Sequence, residues 1–194
     1  MSETRLLLIR HAESTWNAAG RWQGHADPPL SDRGRRQAEA LSRDLAGEPI
    51  DLLVSSDLVR AAETASIVGS ARGLRPTLNA EMRELSIGDW TGLTRGQIET
   101  RAADVLRDFE RGESDVRPGG GESRREMKLR VRSAIAKLVV ANPGRRLAVV
   151  THLGAIRALL PGTDLENAGW RAVAEVDALA DERADSARPV GPAA

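Results

Sequence analysis

Apolar residues fall along this chain in two rhythms. Three short runs are nearly continuous: Arg5–Arg10 (RLLLIR), Ile50–Ser55 (IDLLVS) and Leu147–His152 (LAVVTH). Runs of that length, rich in Leu, Ile and Val, suit strands covered on both faces, as in a parallel sheet. Between them the apolar positions recur at helical spacing. Ser31–Ala46 begins on Ser and Asp, both good N-caps, and carries Ala38, Leu41 and Leu45. Asp57–Ala71 sets Leu58, Ala61, Ala62, Ala65 and Val68 on one face. Ser123–Ala141 runs through Met127, Val131, Ile135, Leu138 and Val139 until Asn142-Pro143-Gly144 stops it. Strands alternating with helices predict an α/β layer fold with a mainly parallel sheet. Gly112–Glu122 (GESDVRPGGGE) reads as a loop within that domain.

The polar residues that end the strands change the picture from fold to chemistry. The first strand ends on Arg10-His11, the second on Ser55-Ser56 with Arg60 one helical turn later, and the late one on Thr151-His152. In a parallel sheet these tips share one edge, where α/β proteins place their ligands. Imidazoles at such tips are expected to face solvent or a ligand rather than the core. Two guanidiniums and two imidazoles converging on one crevice suit a tetrahedral anion, above all phosphate, because the guanidinium fork matches its oxygens in pairs. Helices starting near Ser14 and after His152 would add backbone N–H groups. A neutral histidine there can also attack phosphorus.

Composition narrows the alternatives. At 194 residues and 41% hydrophobic content, one domain of ordinary size is expected, over residues 1–180, with a flexible tail at 181–194. The chain has no cysteine, which excludes disulfides and thiolate metal sites. The two strand-end histidines lack the spacing or carboxylate setting of a metal site, so no metal and no cofactor is expected. Formal net charge is zero, so no overall field attracts nucleic acid, and any anion must be captured locally. No apolar stretch approaches the roughly 20 residues of a membrane span, and the N-terminal one is too short for a signal-peptide core. A cytoplasmic location is the expectation. Of the 28 basic residues only Lys128 and Lys137 are lysine, so a single arginine here says little by itself. Gly119-Gly120-Gly121 follows no strand and precedes no Lys-Ser/Thr, which removes a phosphate-binding P-loop. Trp16, Trp22 and Trp90 read as core or rim packing, and His25 as an exposed loop residue.

Six blocks in order carry a family resemblance: LIRHAESTWN, GRWQGHADPPLSDRGRRQA, SSDLVRAAETA, MRELSIGDWTG, GGGES and VVTHLGAIRALL. Together they resemble the histidine phosphatase superfamily, in its phosphoglycerate-mutase-like branch. The resemblance implies a three-layer α/β/α sandwich. It implies His11 as the nucleophile that becomes phosphohistidine, with Arg10, Arg60 and His152 completing the phosphate pocket. Glu84 matches the family's proton donor, Asn17 a phosphate-side hydrogen-bonding position, and Gln23-Gly24 a substrate-side loop. The family has glycine where this chain has Ala12 and Leu153. A φ below zero would accommodate both, and Leu153 would narrow the pocket mouth and make it more apolar.

The function expected is therefore a metal-independent phosphomonoesterase acting on small phosphorylated metabolites. A phosphoglycerate mutase on the same machinery is the first alternative. It is disfavoured because the stretch between Glu84 and Gly121 is shorter than such mutases usually carry and is rich in acids. A non-catalytic phosphate-binding module of the same fold is the second, disfavoured because every matched catalytic residue type is present. The residues specify neither the substrate nor an oligomeric state.

Overall fold

A computed structural model describes residues 4–174. Five strands form one sheet: β1 (Arg5–Arg10), β2 (Leu52–Ser55), β3 (Thr77–Leu78), β4 (Arg146–Thr151) and β5 (Trp170–Ala174). Their order is β3-β2-β4-β1-β5. Neighbours are parallel except β5, which runs antiparallel along the β1 edge, with Ile9 opposite Trp170. Six α-helices accompany them: α1 (Thr15–Ala18), α2 (Asp32–Asp44), α3 (Val59–Ser70), α4 (Arg95–Glu110), α5 (Arg124–Ala141) and α6 (Leu153–Leu159).

Alternation along the buried strands sorts the core into two layers. Leu6 and Leu8 of β1, Val54 of β2, and Leu147 and Val149 of β4 meet Met82, Ile98, Leu106, Val131, Ile135 and Ile156 on the α4, α5 and α6 side. Leu7, Ile9, Leu53, Ala148 and Val150 meet Leu41, Leu45, Ala61, Ala65 and Val68 of α2, the turn after it, and α3. The molecule is thus a single-domain three-layer α/β/α sandwich. Each fully buried Leu, Ile, Val or Met in these layers contributes about 1.5–3 kcal/mol.

The expected strands and helices form, with small shifts at their ends. The second strand starts at Leu52 rather than Ile50, because Asp51 turns to hold Arg146, with Oδ1 accepting from Nη2 at 2.7 Å. Ser31, Thr94 and Ser123 cap α2, α4 and α5, the last two with reciprocal Gln97 and Glu126 contacts. The connector at 112–122 contains one 3₁₀ turn, Pro118–Gly120. Ala168 is the only non-glycine at positive φ among the described residues, so Ala12 and Leu153 stand unstrained where glycine was expected. The tail expected at 181–194 lies outside the described residues. Among those described, no helix is long and apolar enough to cross a membrane.

Candidate active site

The C-terminal tips of β1, β2 and β4 open into a cleft of about 390 Å³. Arg10, His11, Asn17, Gln23, Gly24, Arg60, Glu84 and Leu153 all line it. His152 lies behind His11, with ring centroids 5.1 Å apart. The residues expected from the sequence are therefore in one place, although they come from positions as far apart as Arg10 and Leu153.

Both imidazoles are more enclosed than strand tips suggest. His11 is 4% exposed and His152 is fully buried. The 14–30 segment, closed by a bridge between Ser14 and Leu30, brings Asn17, Trp22, Gln23 and Gly24 to the same cleft. Nδ1 of His11 lies 2.7 Å from the Ala12 carbonyl, which can only accept. The ring proton is therefore on Nδ1, and Nε2 keeps its lone pair. Burial, reinforced by the Arg60 guanidinium, pulls the His11 imidazole down to about 3. The ring is neutral at any ordinary pH. His152 is likewise held well below its usual value, first by burial and then by Arg60. Its Nε2 is 2.9 Å from Ser56 Oγ, and its Nδ1 has no protein partner.

The two arginines are pinned by carbonyls, not by acids. Arg60, 1% exposed, donates to Ala26 O at 2.8 Å and Gly24 O at 2.9 Å. Arg10 donates to Leu165 O at 2.6 Å. Burial lowers both, Arg60 to about 10, and each still carries its charge at neutral pH. Thr64 ties this corner together, accepting from Ala12 N–H at 3.1 Å and donating to Arg60 O at 2.7 Å.

Glu84 arrives from outside the sheet. One carboxylate oxygen accepts from its neighbour Leu85 N–H at 2.8 Å, and the other from Gly154 N–H at 3.0 Å, in the first turn of α6. The positive end of α6, expected to serve an anion directly, thus holds Glu84 instead. Gly154 packs so closely that a Cβ there would overlap the carboxylate. The backbone of Glu84 is held by Arg130, which donates to the Glu81 and Arg83 carbonyls and pairs with Glu122, and by His25 Nε2 at 2.8 Å from the Glu84 carbonyl. His25, exposed as expected, therefore has a definite place behind Glu84. Asn17 and Gln23 are fixed through Ser14. Asn17 Oδ1 accepts from Ser14 N–H at 3.1 Å, and Gln23 Oε1 accepts from Ser14 Oγ at 2.7 Å. What either can offer a ligand is its amide N–H2.

The triple glycine is structural. Gly119 has φ 56°, and a Cβ there would strike the backbone of Ile87, Asp89 and Trp90; a Cβ on Gly121 would strike Ser86. Trp22, Trp90 and Phe109 pack edge-on or tilted at 5.7 to 6.0 Å, and Trp22 and Phe109 line the cleft together with Leu85, Ile87, Met127 and Leu153. Three further arginines that sequence reasoning missed, Arg21, Arg124 and Arg157, line the cleft. No group of three or more His, Cys, Asp or Glu among the described residues is placed to hold a metal ion.

The model of the histidine phosphatase superfamily (branch 1) matches residues 6–177. Glucosyl-3-phosphoglycerate phosphatase of Mycobacterium tuberculosis is 37% identical over 167 residues, covering 82% of this chain and 74% of that protein. A metal-independent phosphoserine phosphatase of Arabidopsis thaliana is 33% identical over 159 residues, covering 80% and 67%. The solved structure of the mycobacterial glucosyl-3-phosphoglycerate phosphatase with VO3 superposes at a TM-score of 0.80, with 36% identity over 87% of this chain and 91% of that one. The chain belongs to the histidine phosphatase superfamily.

Proposed function

We propose that this protein is a metal-independent phosphatase that hydrolyses small phosphate monoesters through a phosphohistidine at His11. One observation carries the reading. Five buried side-chain nitrogens among the described residues lack a partner, and three of them belong to Arg10, Arg60 and His152, the two cations that act on His11 and the ring beside it. Buried donors left without acceptors are rare and costly in folded proteins. A phosphoryl group beside His11 supplies acceptors for all three.

The chemistry follows from the placement. The lone pair on His11 Nε2 attacks phosphorus as the bond to the ester oxygen breaks opposite it. Glu84 acts as general acid and gives a proton to the departing oxygen. Water then attacks the phosphohistidine, Glu84 takes a proton from it, and inorganic phosphate leaves with the imidazole restored. Arg10 and Arg60 neutralise charge on the transferring group, the largest share of catalysis in such sites. With Ser56 donating to Nε2, His152 presents Nδ1–H to the same group. Relatives named as phosphatases, of a sugar-linked phosphoglycerate and of phosphoserine, support hydrolysis. Relatives of similar identity are named phosphoglycerate mutase or mutase-like, so the mutase is the reading the assay must separate.

Hydrolysis of p-nitrophenyl phosphate in EDTA tests the reading, with rapid acid quench to detect phosphoprotein. Wild type should turn over and label, and His11→Ala should lose both by orders of magnitude. Activity abolished by chelator and restored by a divalent ion would overturn the metal-independent route. A His11→Ala variant keeping more than about a tenth of the rate would move the nucleophile elsewhere. Conversion of 3- to 2-phosphoglycerate outpacing phosphate release would favour the mutase.

A further inference from the structure

The peptide that joins the nucleophile to its neighbour is gripped at both ends. The N–H of Ala12 donates to Thr64 Oγ1 at 3.1 Å. The His11 carbonyl, at the other end of that peptide, accepts from Ala168 N–H at 3.2 Å and from Asn167 Nδ2 at 3.1 Å. This plane decides where the His11 ring points, because Nδ1–H donates to the carbonyl of Ala12, the residue the plane carries. A rotation of the plane would move that carbonyl and turn the lone pair on Nε2 away from phosphorus. Asn167 itself does not line the cleft. It sits in a turn closed by Gly169 N–H on the Glu166 carbonyl at 2.9 Å. Its neighbour Ala168 has φ 62°, where a turn residue is ordinarily glycine. Such strain persists only where the surroundings over-determine the backbone. Here the surroundings are β1: besides the bonds to His11, Arg10 N–H donates to the Gly169 carbonyl at 2.9 Å and Arg10 Nη1 to the Leu165 carbonyl at 2.6 Å. Among these bonds, only that of Asn167 is made by a side chain of the turn.

We propose that Asn167 is a positioning residue for the nucleophile: by holding the His11 carbonyl it fixes the peptide plane and aims Nε2 at phosphorus. The inference rests on the phosphatase reading above and adds to it a residue from outside the cleft. A carbonyl can only accept, so the amide must meet it with its nitrogen. The backbone bonds of Ala168 and Gly169 remain when the Asn167 side chain is removed, so the turn stays closed while the aim loosens. Asn17, 3.5 Å from Asn167 Nδ2, is held independently by Ser14 N–H at 3.1 Å. Arg60 is held by the carbonyls of Gly24 and Ala26, away from this turn. Loss of the Asn167 amide therefore leaves the groups that capture phosphate in place and slows the attack, which depends on alignment of the reacting atoms.

Two measurements on the full chain separate aim from capture: single-turnover phosphorylation by p-nitrophenyl phosphate, read by acid quench, and calorimetric binding of inorganic phosphate. Asn167→Ala should slow the limiting rate of phosphorylation by about 10- to 100-fold and leave the phosphate dissociation constant within about twofold of wild type. Asn167→Ser retains one donor and should recover part of the rate; it carries both readouts where Asn167→Ala does not fold. A lowered thermal midpoint with the rate within about twofold of wild type would make the residue merely structural and overturn the proposal, as would rate and phosphate affinity falling together. The His11 Nδ1–H proton, assigned in proton–nitrogen correlation spectra by its loss in His11→Ala, reads the same aim without catalysis. It should shift in Asn167→Ala, and an unmoved resonance overturns the proposal. Absence of phosphoprotein and of turnover in the wild type would instead overturn the phosphatase reading, and the resonance alone then decides whether Asn167 aims the ring.

Discussion

Several arginines on the outside of this molecule and three in its cleft behave as two different residues. Outside, they find acids: Arg95 with Glu110 at 2.7 Å, Arg125 with Asp115 at 2.6 Å, Arg146 with Asp51 at 2.7 Å. Each partner raises the arginine above its ordinary value. Inside, Arg10, Arg60 and Arg124 rest on backbone carbonyls, keep an unpartnered Nε, and are lowered by burial. Exposed pairs of the first kind contribute little to stability. The second kind costs folding energy. Arg72, held the same way by the Leu45 and Glu48 carbonyls, does not line the cleft, whereas at the three cleft arginines a ligand can supply the missing acceptors. In a chain this rich in arginine, what a guanidinium lacks says more than that it is there.

The sharpest way to break this contrast is through Glu84, the one acid among the described residues of the cleft, whose oxygens accept from backbone N–H groups rather than from the arginines. Glu84→Gln should cost about 10²–10⁴-fold in single-turnover phosphorylation by an alkyl phosphate and far less with p-nitrophenyl phosphate, whose phenolate leaves without help. Gly154→Ala should reproduce that signature in weaker form, because its Cβ displaces the Glu84 carboxylate while leaving the fold intact. Equal losses on both substrates would reduce Glu84 to a structural role.

Next in size is the exchange of an inner for an outer arginine. Arg60→Met should lower kcat/KM for p-nitrophenyl phosphate by about 10²–10³-fold, as expected on losing one preorganised charge donor. Arg95→Met, in steady-state assays under the same conditions, should leave it unchanged. Comparable losses would erase the distinction.

The smallest effect is on stability. Both histidines are buried as neutral rings beside unpaired cations, with His11 at about 3 against an ordinary 6.5. The unfolded chain therefore binds more protons than the folded one between those values, and stability falls as pH drops below about 6.5 and is fully present above it. Thermal midpoints measured from pH 7.5 down to 4.5 should decline. His152→Gln should flatten the slope, and inorganic phosphate, by offsetting the arginines, should do the same. A midpoint independent of pH across that window would contradict the burial of neutral imidazoles.

Much of this was legible in the residues. Near-continuous apolar runs ending on Arg10-His11 and Thr151-His152 placed the sheet and its functional edge, because strand period and parallel pairing leave few other arrangements. Glu84 was legible only through the family resemblance: a carboxylate in a loop carries no periodicity, and its place depends on Arg130 and Gly154, distant in sequence. Arg124, Arg157 and Phe109 were hidden differently. An arginine at a helix start looks like any other in this composition, and α4 has too sparse an apolar face for its period to show, with a kink at Ala102 besides. β5 escaped because Trp170–Ala174 is half-exposed along the sheet edge and lacks the apolar continuity of the inner strands.

The contact between the two glycine-rich turns bears on how such an enzyme can diversify. Gly119 and Gly121 seat directly on the backbone of residues 86 to 90, with no side chain able to intervene. The segment bearing Glu84 and the turn beneath it are thus a lock and its key, cut to one another. A recombinant library that swaps 84–90 from a relative without 118–122 will mismatch the two and lose the acid. Exchanged as a cassette they can travel together, carrying a new leaving-group wall onto an unaltered phosphate end.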